Sequence, residues 1–164
     1  MNVTAYLGLG SNLGDRLLYL NKGVKALSEY GEIKITHLSS IYETEPVGLM
    51  SQGMFLNMAL SCNVFCTPNQ LLKCCKDIEH KVGREKTVRW GPRKLDIDIL
   101  LFGEKCISTE MLEVPHPELL KRNFVLVPLN EIAPSLEIPG VGISVHDAMN
   151  NCIDSKKVAK IKVN

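Results

Sequence analysis

The sequence is poor in aromatic residues: four Phe, four Tyr and one Trp among 164. A surface that stacks nucleic-acid bases needs such rings exposed on central strands, together with an RNP-type segment. No such segment occurs, which argues against an RNA-binding module. Charge of one sign is missing too, since the formal net charge is +1. That excludes a generally basic coat for nucleic acid but leaves room for a local basic patch. The uncharged stretch from Met54 to Leu72 is interrupted by Asn57, Asn63 and the turn Thr67-Pro68-Asn69-Gln70, so it is not expected to span a membrane. Met1 to Leu7 has neither a basic leader nor a long apolar core, and no signal peptide is expected.

Several chemical devices are also absent. The six cysteines (Cys62, Cys66, Cys74, Cys75, Cys106 and Cys152) form no C-x-x-C pair. Reduced thiols in a cytoplasmic protein are the expectation. No G-x-x-x-x-G-K-[ST] loop occurs. The glycines of Gly8-Leu9-Gly10-Ser11-Asn12-Leu13-Gly14 miss the dinucleotide fingerprint, because three residues separate the last two. No Ser, His and Asp set is spaced for a hydrolase.

What is present is an ordinary globular composition, 45% apolar and 23% charged, at a length that suits one domain over residues 1–164. Val3 to Leu9 reads as a strand. Gly14-Asp15 opens a helix with an apolar stripe at Leu17, Leu20, Val24 and Leu27, which Gly31 can end. A second strand is expected over Ile33 to Tyr42, then a loop over 43–54. Phe55 to Phe65 alternates as a strand with apolar even positions. Thr67-Pro68 caps a helix that stops at Gly83. Leu95 to Phe102 is the last clear strand, and a further helix is expected near Val145 to Asn151. The order strand, helix, strand, strand, helix, strand predicts an α+β fold with a ferredoxin-like βαββαβ core. Its antiparallel sheet would carry helices on one face, with a C-terminal extension.

The informative stretch is Arg89-Trp90-Gly91-Pro92-Arg93-Lys94-Leu95-Asp96-Ile97-Asp98-Ile99-Leu100. Side chains alternate along a strand, so Asp96 and Asp98 share a face, their α-carbons about 6.6 Å apart. Leu95, Ile97, Ile99 and Leu101 are then expected to face the core. Two neighbouring carboxylates repel and raise their own pKa values, and Mg²⁺ relieves that conflict. Residues 80 to 94 carry Lys81, Arg84, Lys86, Arg89, Arg93 and Lys94 against Glu85 alone, a composition that suits a magnesium-bound polyphosphate. Taken alone, the aspartates could equally be a solvated sheet face and the basic run a solvated loop. A palm-type nucleotidyltransferase and a small-ligand regulatory domain also stay open at this level.

This stretch closely resembles the signature of the hydroxymethyl-dihydropterin pyrophosphokinases of folate biosynthesis. Further matches, in the family's order, are Gly10-Ser11-Asn12-Leu13, Ser40-Ile41-Tyr42-Glu43-Thr44, Glu45-Pro46-Val47-Gly48, Phe55-Leu56-Asn57, Val114-Pro115-His116 and Arg122-Asn123-Phe124. The resemblance implies transfer of the pyrophosphoryl group of ATP to the pterin hydroxymethyl group, releasing AMP. It implies that Asp96 and Asp98 hold two Mg²⁺ ions and that Arg84 and Arg93 belong to a catalytic loop. His116 and Arg122 match positions at the triphosphate, and Trp90 and Ile99 positions at the nucleotide. Phe55 and Phe124 match the rings that sandwich the pterin, Asn57 its polar edge, and Thr44 and Val47 its pocket wall. The partners implied are these small molecules, not nucleic acid, membrane or an obligate protein. The chain departs from the family pattern at Glu45 and Pro117, and in a loop between Arg84 and Trp90 that is one residue shorter.

Overall fold

The computed structural model describes residues 2–48, 51–83 and 92–163. Strand β1 (Val3–Ser11) leads into helix α1 (Arg16–Ser28). The Asp15 carboxylate accepts the Leu18 N–H at 3.1 Å, answering one of the free donors at the helix start. Expectation placed the helix stop at Gly31. Instead Glu29 and Tyr30 close the last turn by backbone hydrogen bonds, and Gly31 lies beyond it. Gly23 brings α1 down onto the sheet: a β-carbon there would sit 2.9 Å from Leu95 Cδ2.

The expected strand over 33–42 is two strands. β2 (Ile33–Leu38) ends at an exposed Leu38, and β3 (Tyr42–Thr44) resumes after a break at Ser39 to Ile41. β2 and β3 occupy successive parts of one edge of β4 (Phe55–Val64). The loop expected from 43 therefore begins at Glu45. Helix α2 (Pro68–Lys81) starts with a reciprocal capping box between Thr67 and Gln70 and has Gly83 beyond its end at φ 98°. β5 (Asp96–Phe102) pairs with the other side of β1.

These strands form an antiparallel sheet in the order β5-β1-β4-β3, with β2 also on β4. The architecture is α+β. α1 and α2 cover one face, over a core built from Leu7, Leu9, Leu20, Leu60, Leu71 and Ile78. Each such side chain contributes about 1.5–3 kcal/mol on burial.

The expected even–odd pattern of β5 breaks at Leu100. Leu7 pairs with Ile99 but Tyr6 pairs with Leu101, so Leu100 is an extra residue, a β-bulge. The bulge reverses the parity. Phe102 joins the core under α1 and α2, and Leu101, expected there, lies on the opposite face.

That opposite face is only partly covered. A short pair, β6 (Ile107–Ser108) and β7 (Glu113–Val114), follows β5, then a 3-10 turn at Leu119–Lys121. Helix α3 (Asn123–Ile132) spans the apolar run from Phe124 and packs with α4 (Val145–Asn151) over Ala59, Leu100 and Leu101. A final strand absent from the expectation, β8 (Val158–Lys160), pairs with the outer edge of β3. Among the described residues no helix is long and apolar enough to cross a membrane.

Candidate active site

The uncovered part of the second face is a cleft of about 350 Å³. Its floor is the sheet: Gly8 and Gly10 of β1, Phe55, Asn57 and Ala59 of β4, and Asp96, Asp98 and Leu100 of β5. Arg122 and Phe124, at the start of α3, stand on one side. Thr44, Glu45 and Val47 stand on another, and His116 to Glu118 close a third. Ten sequence-predicted residues therefore converge: Thr44, Val47, Phe55, Asn57, Arg93, Asp96, Asp98, His116, Arg122 and Phe124. Ile99 does not join them through its side chain, which is buried in the opposite core. Any contact it makes in the cleft is through main chain. Arg84 and Trp90 lie outside the described residues, as do Lys86 and Arg89.

The carboxylate pair behaves as alternation requires. Asp96 and Asp98 both face the cleft, while Ile97 between them faces the core. Arg93 donates to Asp96 Oδ1 at 3.2 Å. Asp98 keeps an accessible edge into the cleft but is otherwise ringed by protein. Burial first, and then the Asp96 charge, push its carboxyl up to about 7. Two carboxylates with this conflict suit a hard cation. Among the described residues no three His, Cys, Asp or Glu side chains gather as a closed metal site. Mg²⁺ does not need one, because it takes one or two carboxylates and completes its shell with water and substrate phosphates.

Arg93 is aimed from its backbone. Its N–H donates to Asn12 Oδ1 at 2.7 Å, and its carbonyl accepts the Asn12 N–H at 3.0 Å. The Asn12 amide also donates to Gln52 Oε1 at 2.7 Å, tying two loops together at the rim. His116 is held by a backbone bond to the Leu100 carbonyl, and its Nδ1 accepts the Glu118 N–H at 3.1 Å. Burial and the Arg122 charge lower its pKa. The ring is thus neutral near pH 7 with its proton on Nε2, available to an anionic ligand.

On the other side, Asn57 Nδ2 donates to Thr44 Oγ1 at 2.6 Å, which leaves the Thr44 hydroxyl proton to give onward. A β-carbon at Gly10 would fall 2.6 Å from Asn57 Oδ1, so glycine makes room for this amide. The Arg122 guanidinium lies 5.6 Å from the Phe124 ring centre, a cation–π contact joining the two halves of the cleft.

A family model for 7,8-dihydro-6-hydroxymethylpterin-pyrophosphokinase (HPPK) matches residues 6–134. The chain belongs to this family. It is 49% identical over 137 residues to the 2-amino-4-hydroxy-6-hydroxymethyldihydropteridine pyrophosphokinase of Bacillus subtilis strain 168, covering 84% of this chain and 82% of that one. The Aquifex aeolicus enzyme of the same name is 46% identical over 136 residues, at 83% and 84% coverage. Among solved structures, wild-type Plasmodium falciparum HPPK-DHPS with pteroate superposes at a TM-score of 0.74 and 17% identity. That match covers 92% of this chain and 42% of the longer one, and at this identity the likeness is one of fold.

Two features of this pyrophosphokinase-family site were missed in the sequence. Asn12 lies in the Gly10-Ser11-Asn12-Leu13 match, which by itself implies no role for it. Glu79 sits on the apolar stripe of α2, four residues after Cys75, and is 1% exposed. Its Oε1 accepts the Ile97 N–H at 2.8 Å, between the two aspartates, and Lys76 Nζ lies 3.4 Å from Oε2. A carboxylate at a core-facing helical position was the available signal.

Proposed function

We infer that the chain transfers the pyrophosphoryl group of ATP to 6-hydroxymethyl-7,8-dihydropterin, yielding the pterin diphosphate and AMP for folate biosynthesis. One observation carries this: a single cleft joins a carboxylate–arginine–histidine half suited to a metal-bound triphosphate with a Phe55–Asn57–Phe124 half suited to a flat, polar-edged heterocycle. Family membership adds that such enzymes use ATP and Mg²⁺.

Within this reading, Asp96 and Asp98 would hold two Mg²⁺ ions. Bound there, the ions would supply neutralisation of phosphate charge and a more acidic pterin hydroxyl. The protein's own work is positional. His116 donates from Nε2 and Arg122 from its guanidinium to the triphosphate. Arg93, with Arg84 by the family resemblance, stabilises charge on the group in transit, where such donors count most. Trp90 and the Ile99 main chain serve the nucleotide. Phe55 and Phe124 stack the pterin, Asn57 and Thr44 read its edge, and Val47 completes the wall. The hydroxymethyl oxygen attacks the β-phosphorus and gives up its proton to solvent, as the bond to the bridging oxygen breaks and AMP leaves with that oxygen.

The strand order, with one helix after β1 and one after β4, supports reading the core as ferredoxin-like. A continuous sheet from β5 to β8 supports a single domain over residues 1–164. The test is to incubate the protein with Mg-ATP and 6-hydroxymethyl-7,8-dihydropterin and separate the nucleotides. AMP in step with pterin diphosphate is expected. ADP, or free pyrophosphate with a nucleotidylated pterin, would overturn the assignment.

A further inference from the structure

Beyond α4 the chain returns to the segments that wall the cleft. One Asp154 carboxylate oxygen accepts the Asn123 N–H at 3.0 Å, and the Asp154 carbonyl accepts the Asn123 side-chain amide at 2.6 Å. The other carboxylate oxygen accepts the Lys156 N–H at 3.0 Å and turns the chain. Arg122, at the N-cap of α3, gives that helix no side-chain cap. The helix start that carries Arg122 and Phe124 is therefore capped from outside, by Asp154.

Three residues later the Lys157 N–H donates to Glu45 Oε1 at 3.1 Å. β8 then pairs Val158 with Thr44 and Lys160 with Tyr42, and the Ile161 N–H reaches the Ile41 carbonyl at 2.9 Å. Between Asp154 and Val158 the chain thus crosses from the Phe124 side of the cleft to the Thr44–Glu45 side. Four residues of extended chain span at most about 14 Å, so this crossing limits how far the two walls can part.

We propose that residues 154–158 are a strap that sets the width of the pterin half of the cleft, with Asp154 and Glu45 as positioning residues for pterin binding. The proposal rests on the pterin reading given above. A planar ligand between two rings is sensitive to width, because a gap of roughly 0.5–1 Å already forfeits a quarter to a half of the dispersion attraction. The Asp96–Asp98–His116 half is anchored on β5 and the chain after β7, and only Arg122, on the helix start that Asp154 caps, links the nucleotide side to the strap, so nucleotide binding depends on the strap less than pterin binding does.

The experiment is calorimetric titration with 6-hydroxymethyl-7,8-dihydropterin of protein saturated with Mg²⁺ and a non-hydrolysable ATP analogue. The analogue is titrated separately. Asp154→Ala and Glu45→Ala are each expected to weaken pterin binding about tenfold; Glu45→Ala leaves the analogue within about twofold, and Asp154→Ala costs the analogue less than the pterin, because it reaches the triphosphate through Arg122 alone. Glu45→Gln keeps an acceptor for Lys157 and is expected to bind like the parent. Unchanged pterin affinity in both alanine variants overturns the strap, and so does an equal loss for both ligands. Glu45→Gln as weak as Glu45→Ala would assign Glu45 a direct charge on the ligand and overturn its positioning role. A parent that binds the analogue but not the pterin would sink the functional reading itself, and is recognised before any variant is made.

Discussion

At the scale of single residues, the pair Asp96–Asp98 shows what a sequence can carry. Their common face follows from strand alternation alone. The energetic conflict between them is a matter of burial, which a sequence does not display. Asp98 titrates near 7 in the fold against 3.8 for the free side chain. The folded protein therefore binds more protons than the unfolded chain between these values. Stability falls as pH rises through that window, and the penalty is complete above about 7. Asp98→Asn removes the penalty. In EDTA at pH 8 its melting temperature is expected above the parent's; at pH 4, where Asp98 is protonated anyway, the advantage should vanish. A parent that melts higher at pH 8 would refute this account. Activity should move the opposite way. Asp96→Ala and Asp98→Ala are each expected to lose a thousandfold or more in single-turnover AMP formation, roughly 4 kcal/mol of barrier, while circular dichroism shows a retained fold. Folded variants within about tenfold of the parent would leave the pair without a catalytic role.

At the scale of elements, what was legible depended on period and caps. α1, α2, β1, β4 and α4 follow from stripes, alternation and capping residues that act locally. β8 and α3 were not legible. β8 has three residues, and its partner, β3, lies more than a hundred positions earlier. α3 begins without a side-chain cap of its own and contains Pro128, so its cap and its packing come from distant segments. The Leu100 bulge was hidden for a related reason: Ile99-Leu100-Leu101-Phe102 is apolar throughout, so no polar residue marks the change of parity. Glu79 belongs at this scale because it joins α2 to the backbone of β5. Removing it orphans the Ile97 N–H and strips Lys76 of a partner. Glu79→Ala is expected to cost about 1–3 kcal/mol in urea denaturation, the scale of an orphaned buried donor, and Glu79→Gln appreciably less because it keeps an acceptor. Equal losses would show that the charge beside Lys76, and not the bond to Ile97, is what the junction needs.

At the scale of the molecule, one sheet separates two apolar layers, and the site exists because the second layer is incomplete. α3 and α4 cover Ala59, Leu100 and Leu101 and stop short of Asp96, Asp98 and Phe55. The position of α3 relative to the sheet therefore sets the far wall of the cleft. Besides packing, a polar tie fixes it. Glu131 accepts from the Ser40 N–H at 3.0 Å, from the Ser40 hydroxyl at 2.7 Å and from the Tyr42 phenol, at the junction between β2 and β3. Partial burial raises the Glu131 pKa, but the bonds from Tyr42 and Ser40 outweigh it and hold the carboxyl below its ordinary value. A depressed carboxylate contributes stability above the unfolded value of 4.5 and loses it as pH falls through the folded value. Glu131 is exposed, so solvent screening limits the gain to about 1 kcal/mol. Glu131→Gln is accordingly expected to be less stable than the parent by about that amount at pH 7, and to match it at a low pH below the folded value, where both side chains are neutral. Urea denaturation at the two pH values measures the difference. A deficit of the same size at both would mean that the shape of the side chain, and not its charge, ties the second layer to the sheet.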